Sequence, residues 1–202
     1  MGPAAAVIAA AGAAAVSSFD RSLCFPRAYG PVDNPICLAW AREADAFLFR
    51  LTCVPDSFPE LQLNWCAVGW STASPPDAPT PKPGAWGMWP AEVVHLQLLT
   101  GGGVVLTDRM TTGVRLPACA QVQATRLLNA SVDATTGVLT AFFTRAADLP
   151  QALLENGYTN FNRTLPFVAA ISNQGPQAQG GCAATFPPHD NEWRNETGKF
   201  GF

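Results

Sequence analysis

Charge is scarce in this chain: of 202 residues only 13% are Asp, Glu, Lys or Arg, and 12 basic residues face 15 acidic ones for a formal net charge of -3. No basic run occurs, so the counterion release that drives binding to nucleic acid has nothing to act through, and nucleic acid is not an expected partner. Histidine is scarcer still. His95 and His189 are the only two, which excludes multi-histidine copper centres and three-histidine zinc sites built from this chain alone. With no recognisable nucleophile–base pair either, hydrolase and copper oxygenase schemes lack their parts. Gly101, Gly102 and Gly103 are followed by neither Lys-Ser/Thr nor a helix, so they belong to a turn and not to a phosphate-binding loop.

Membrane-spanning length is also missing. The apolar run over residues 4–16 falls short of the roughly 20 residues a transmembrane helix needs. It suits the apolar core of a secretory signal, with small residues Ala13, Ala15 and Ser17 at a cleavage site but no basic residues ahead of it. Residues 1–18 are therefore expected to be a signal peptide or a disordered leader, and 19–202 a single domain. The cysteines point the same way. Cys24, Cys37, Cys53, Cys66, Cys119 and Cys182 form an even, scattered set without CxxC spacing, which suggests disulfides in an oxidising compartment, with 15 connectivities open. Asn129, Asn162 and Asn195 each open a glycosylation sequon in a segment with loop character. Together these features predict a secreted protein or one on the extracellular face of a membrane.

What the chain has in quantity is turn formers and short apolar runs: 17 Gly, 18 Pro and 12 Phe among 202 residues. Runs at 36–42 and 46–53 flank a short polar turn and predict a hairpin. Residues 61–70 predict a third strand, with Leu61, Leu63, Trp65, Ala67 and Gly69 on one face and Gly69 marking a bend or close backbone approach. Five prolines between Pro75 and Pro83 predict an extended loop. Further hairpins are expected from 91–99 with 104–108, and from 124–128 with 138–144, the second through a polar turn from Asn129 to Gly137. One or two helical turns over 149–155, a strand over 165–171 and a polar tail from Ser172 complete the reading. Many short strands without a long amphipathic helix predict an all-β fold, an antiparallel immunoglobulin-like β-sandwich.

The order of segments resembles the DOMON domain family, which includes the cytochrome domain of cellobiose dehydrogenase and plant auxin-responsive cytochromes. The resemblance runs over roughly residues 36–202. Its most specific pieces are Met88 just ahead of the acidic Glu92-Val93-Val94 strand, and the run Asp108, Arg109 and Gly113. Supporting pieces are Trp40, Gly69-Trp70-Ser71, Phe143-Thr144-Arg145 and a late His189 with Arg194 behind it. The resemblance implies a haem b at one end of the sandwich, with Met88 and His189 as axial ligands of the iron. Their placement in loops beside sandwich strands agrees, since sites are commonly built there, and Met/His ligation suits electron transfer. Trp86, Trp89 and Phe186 are candidates to wall the porphyrin, and Arg194 to pair with a propionate. Ordinary aromatic packing and a surface arginine are the plain alternatives. Bulky Trp89-Pro90 and Glu92 in place of the commoner Asp depart from the family pattern.

The expected function is thus an exported cytochrome domain exchanging single electrons with a partner: an oxidoreductase domain, a membrane b-type cytochrome, ascorbate or a quinone. The chain has no flavin or nicotinamide fingerprint, and no catalytic residue is assigned. The competing reading is a haem-free module that binds carbohydrate or another protein, with Trp86, Trp89 and Trp193 stacking on sugar rings. His95, mid-strand beside Val93 and Gln97, is expected to be an exposed or hydrogen-bonded strand residue, and Asp108 with Arg109 a structural turn or strand-end pair.

Overall fold

The structure is a computed structural model that describes residues 18–25, 35–56, 58–60, 62–71, 91–111, 118–161, 165, 167–183 and 191–195. Two antiparallel sheets pack face to face, the expected sandwich. One has five strands in the order β1 (Arg21–Phe25), β2 (Ile36–Glu43), β3 (Ala46–Cys53), β9 (Leu139–Ala146), β8 (Thr125–Val132). The other has six, in the order β11 (Asn191–Asn195), β10 (Phe167–Ser172), β4 (Trp65–Ser71), β5 (Ala91–Leu98), β6 (Val104–Thr111), β7 (Ala118–Cys119). A short helix α1 (Gln151–Glu155) and a 3-10 turn (Gly181–Ala183) are the helical pieces among the described residues.

Period-two alternation decides which side chains enter the core. Ile36, Leu38 and Trp40 of β2, Phe47, Phe49 and Leu51 of β3, and Leu139, Ala141 and Phe143 of β9 meet Val68 and Trp70 of β4, Val94 and Leu96 of β5, and Phe167, Ala169 and Ile171 of β10. Rings dominate the centre. Phe49 stacks on Phe143 at 5.1 Å between centroids, and Trp70 lies 4.7 Å from Phe161. Cys53 of β3 and Cys66 of β4 are bonded through this core and join the sheets, while Cys24–Cys37 links β1 to β2 and Cys119–Cys182 ties β7 to the 3-10 turn. The six cysteines therefore adopt one of the 15 connectivities that the sequence left open.

Two of the three expected hairpins keep their places. In the first, Ala44 and Asp45 turn β2 into β3; in the second, the Leu99 N–H donates to the Gly103 carbonyl at 2.8 Å and Gly102 takes φ 78°. The third differs: β8 runs through Asn129 to Val132, and the turn lies at 133–137, held by Asp133 Oδ1 accepting the N–H groups of Thr135 and Thr136. Asn129 is thus a strand residue and not a turn residue. The polar tail also contains a strand, β11, paired with β10. Strand β4 starts at Trp65, four residues later than expected, and a Cβ on its Gly69 would come within 2.5 Å of the Glu92 carbonyl oxygen. The proline-rich segment at 75–83 lies outside the described residues, as do residues 1–17.

Candidate functional site

Alternation gives the six-stranded sheet a second, outward face. Side chains odd in number on β4 and β5 and even on β10 share it: Trp65, Ala67, Ala91 and Val93 form a buried apolar cluster, with Val168 and Ala170 packed against it. A sheet face turned away from its sandwich partner is ordinarily polar and wet. Here Trp65, Ala67, Ala91 and Val93 are closed to water, and all but Trp65 are short. Every residue of β5, on both faces, is buried.

His95 lies in the same face, between Ala67 and Thr107 in the ladder. It is buried, with its ring 5.4 Å from that of Trp65 and Nδ1 3.4 Å from Thr107 Oγ1. Burial, helped by the Arg109 charge, pushes its pKa down to about 3, so the imidazole is neutral. Arg109 follows in the next row, opposite Val93 and Cys119, and donates from Nη2 to the Gly181 carbonyl at 2.9 Å. Asp108 and Arg109 are not a pair. As neighbours on β6 they face opposite sides, Asp108 toward the core and Arg109 outward.

The core-facing side holds a second polar group of residues. Glu92 of β5 receives the Arg145 guanidinium of β9 from across the sandwich, and the Thr159 N–H at 3.2 Å. Arg145 also donates to the Thr159 carbonyl at 2.6 Å and stands 4.2 Å from the Phe161 ring centroid. Asp108 Oδ2 accepts the N–H groups of Ala124 and Thr125, the latter at 2.8 Å, and lies 3.2 Å from the Tyr158 hydroxyl, which donates to Val122. Desolvation outweighs attraction in the ion pair: burial pushes the Glu92 carboxyl up to about 7 despite Arg145, and Arg145 below the usual arginine range despite Glu92. Burial likewise raises the Tyr158 phenol.

Glu92 and His95 have opposite effects on stability as pH changes. Between 4.5 and about 7 the folded chain keeps a proton on Glu92 that the unfolded chain has released, so stability falls as pH rises. Between about 3 and 6.5 the unfolded chain holds a proton on His95 that the folded chain refuses, so stability rises with pH. Each slope is about 1.4 kcal/mol per pH unit, and the two cancel where the ranges overlap. Glu92→Gln is expected to unmask the histidine: its urea-unfolding free energy should climb from pH 4.5 to 6.5 where the parent is nearly level. A level profile in the variant would contradict this.

Of the residues singled out from sequence, Trp86, Met88, Trp89, Asn162, Phe186 and His189 lie outside the described residues. Arg194 and Asn195 fall on β11, Arg194 opposite Val168 in the row that continues through Gly69 and Val93 to Arg109. Trp193 falls opposite Ala169. Trp40, Trp65 and Trp70 are buried and offer no ring to a sugar. The strands after Met88 and His189, β5 and β11, are antiparallel and start at opposite ends of the sheet: Ala91 pairs with Ser71, Asn191 with Ile171 beside Cys66. Both strands belong to the six-stranded sheet.

Sequence reasoning missed the Glu92–Arg145 pair. Its signal was present: Arg145 continues the core-facing series Leu139, Ala141, Phe143, and Glu92 that of Val94 and Leu96. No cluster of three or more His, Cys, Asp or Glu suited to a metal ion occurs among the described residues, and no helix there is long and apolar enough to cross a membrane.

No family model and no curated protein matches the chain. Among solved structures it is similar to the cytochrome domain of Myriococcum thermophilum cellobiose dehydrogenase. The identity is 14% and the TM-score 0.48, over 78% of this chain and 73% of that one.

Proposed function

We propose that this chain is an exported b-type cytochrome domain, with haem b held by Met88 and His189 and seated against the outward face of the six-stranded sheet. One observation carries the reading. The two candidate ligands precede, by three and two residues, strands of the one sheet whose outward face carries the buried cluster of Trp65, Ala67, Ala91 and Val93. Ala67, Ala91 and Ala170 give that face the short apolar side chains that suit packing against a flat macrocycle. The bound haem supplies a reversible one-electron iron couple.

The protein's own residues set the conditions. Met88 and His189 would hold the iron through a thioether and an imidazole, a ligand pair that suits electron transfer over oxygen activation. Trp86, Trp89 and Phe186 would exclude water from the group, and Arg194, in the ladder row of Val168 and Val93, would balance a propionate. Neutral His95 keeps a titrating charge away from the outward face at ordinary pH. The redox partner is an oxidoreductase domain, a membrane b-type cytochrome, ascorbate or a quinone.

The test is an absorption spectrum of exported, disulfide-bonded protein supplied with hemin, oxidised and then dithionite-reduced. Sharp reduced α and β bands at one haem per chain are expected, lost in Met88→Leu and in His189→Ala. Unchanged haem content and spectrum in both variants would refute the ligand assignment, and a parent without stoichiometric haem would refute the cytochrome reading.

A further inference from the structure

Among the described residues the two sheets have four outer strands, β1, β8, β7 and β11, and an outer strand presents a row of N–H and C=O groups to any passing chain. Two of them are short and stapled. β1 has five residues and is bonded through Cys24 to Cys37, and β7 has two and is bonded through Cys119 to Cys182. The other two, β8 and β11, carry the sequons at Asn129 and Asn195.

β8 is the more exposed problem. It is eight residues long, pairs with β9 on one side, contains no proline, and has Arg126 as its single charged residue. The register slips between Leu127 and Asn129, which leaves Leu128 as the extra residue of a bulge. Leu128 is 49% exposed, one of two exposed large hydrophobic residues among the described ones. Beside it Asn129 and Ser131, the two ends of the sequon, are both exposed.

We propose that Asn129 is an N-glycosylation site and that its glycan guards the open edge of β8. In the transfer, Asn129 Nδ2 forms a bond to the first sugar of a lipid-linked oligosaccharide diphosphate; the sugar–phosphate bond breaks, the lipid diphosphate leaves and the amide gives up one proton. The attached glycan is hydrated and bulky, and covers both Leu128 and the unpaired ladder. Without it the edge is open to a second copy of the same strand.

The experiment uses the full chain secreted from a eukaryotic host, comparing the parent with Ser131→Ala, which removes the sequon and keeps Asn129. Peptide mass mapping is expected to find glycan on Asn129 in the parent and none in the variant. Light scattering over a concentration series should show a monomeric parent and a variant whose apparent association constant is at least about tenfold higher. Adding Leu128→Lys to Ser131→Ala should restore the monomer, since a lysine on an edge strand disfavours pairing. The proposal is overturned by an unmodified Asn129 in the parent, by a Ser131→Ala protein as monomeric as the parent, or by association that Leu128→Lys leaves unchanged. Haem content does not enter any of these readouts.

Discussion

Arg145→Met is expected to lower stability by about 3–5 kcal/mol at pH 8, because it leaves the buried Glu92 carboxylate without its counter-charge. The loss also strips the Thr159 carbonyl of a donor. The size depends on pH in a defined sense. With its pKa already at about 7, Glu92 accepts a proton once the guanidinium is gone, so the same substitution should cost less at pH 5 than at pH 8. Adding Glu92→Gln should recover most of the loss: the buried charge is removed while an acceptor for the Thr159 N–H remains. The recovery follows from both partners losing more by leaving water than they gain from each other. Urea unfolding of the parent, both single variants and the double gives the coupling energy. A double variant as damaged as Arg145→Met alone would show that the arginine acts through packing on Phe161 and not through charge.

Trp70→Ala is the other large effect, again about 3–5 kcal/mol, from lost transfer energy and the cavity left behind. Trp70 is fully buried, with ring contacts to Phe49, Phe161 and Phe167 at 4.7 to 5.8 Å, and the Arg145 guanidinium 5.7 Å from its ring. Its neighbours are held by two sheets and cannot collapse inward to fill the space. The urea midpoint should fall with little change in slope, as in a loss of stability without a change of fold. Leu128→Ala, on the exposed bulge, should stay within about 0.5 kcal/mol of the parent.

Strands were legible where local signals and tertiary placement agree. β2 and β3 announce themselves through two apolar runs around a polar turn, and β5 and β6 through a glycine turn. β11 was not legible, because Asn191-Glu192-Trp193-Arg194-Asn195 has no apolar alternation and owes its place to pairing with β10. Asn129 opens a polar stretch that by itself favours a turn, yet cross-strand pairing carries β8 through it and on for three more residues. The parity that separates Asp108 from Arg109 follows from a strand running through both, whereas the sequence suggested a strand end there. Period-two counting placed Trp65, Ala67 and Gly69 on one face of β4, but not the burial of that face or its extension across β5 and β10, and Leu63, expected on the same face, lies in the core. Which side of a strand is covered depends on what packs there, and one residue of register exchanges the faces.

The position of β4 has a bearing on how the protein is made. It lies between β5, which follows closely in the chain, and β10, which begins only at Phe167. At about 5–20 residues per second of translation, the ribosome needs roughly 5–20 s to deliver that second neighbour. Throughout the interval a strand with two tryptophans and a cysteine destined for Cys53 waits with one side unpaired. Synthesis therefore passes through a sticky half-built sheet, and yield in a heterologous host should depend more on holdase and thiol-isomerase capacity than on the stability of the finished molecule.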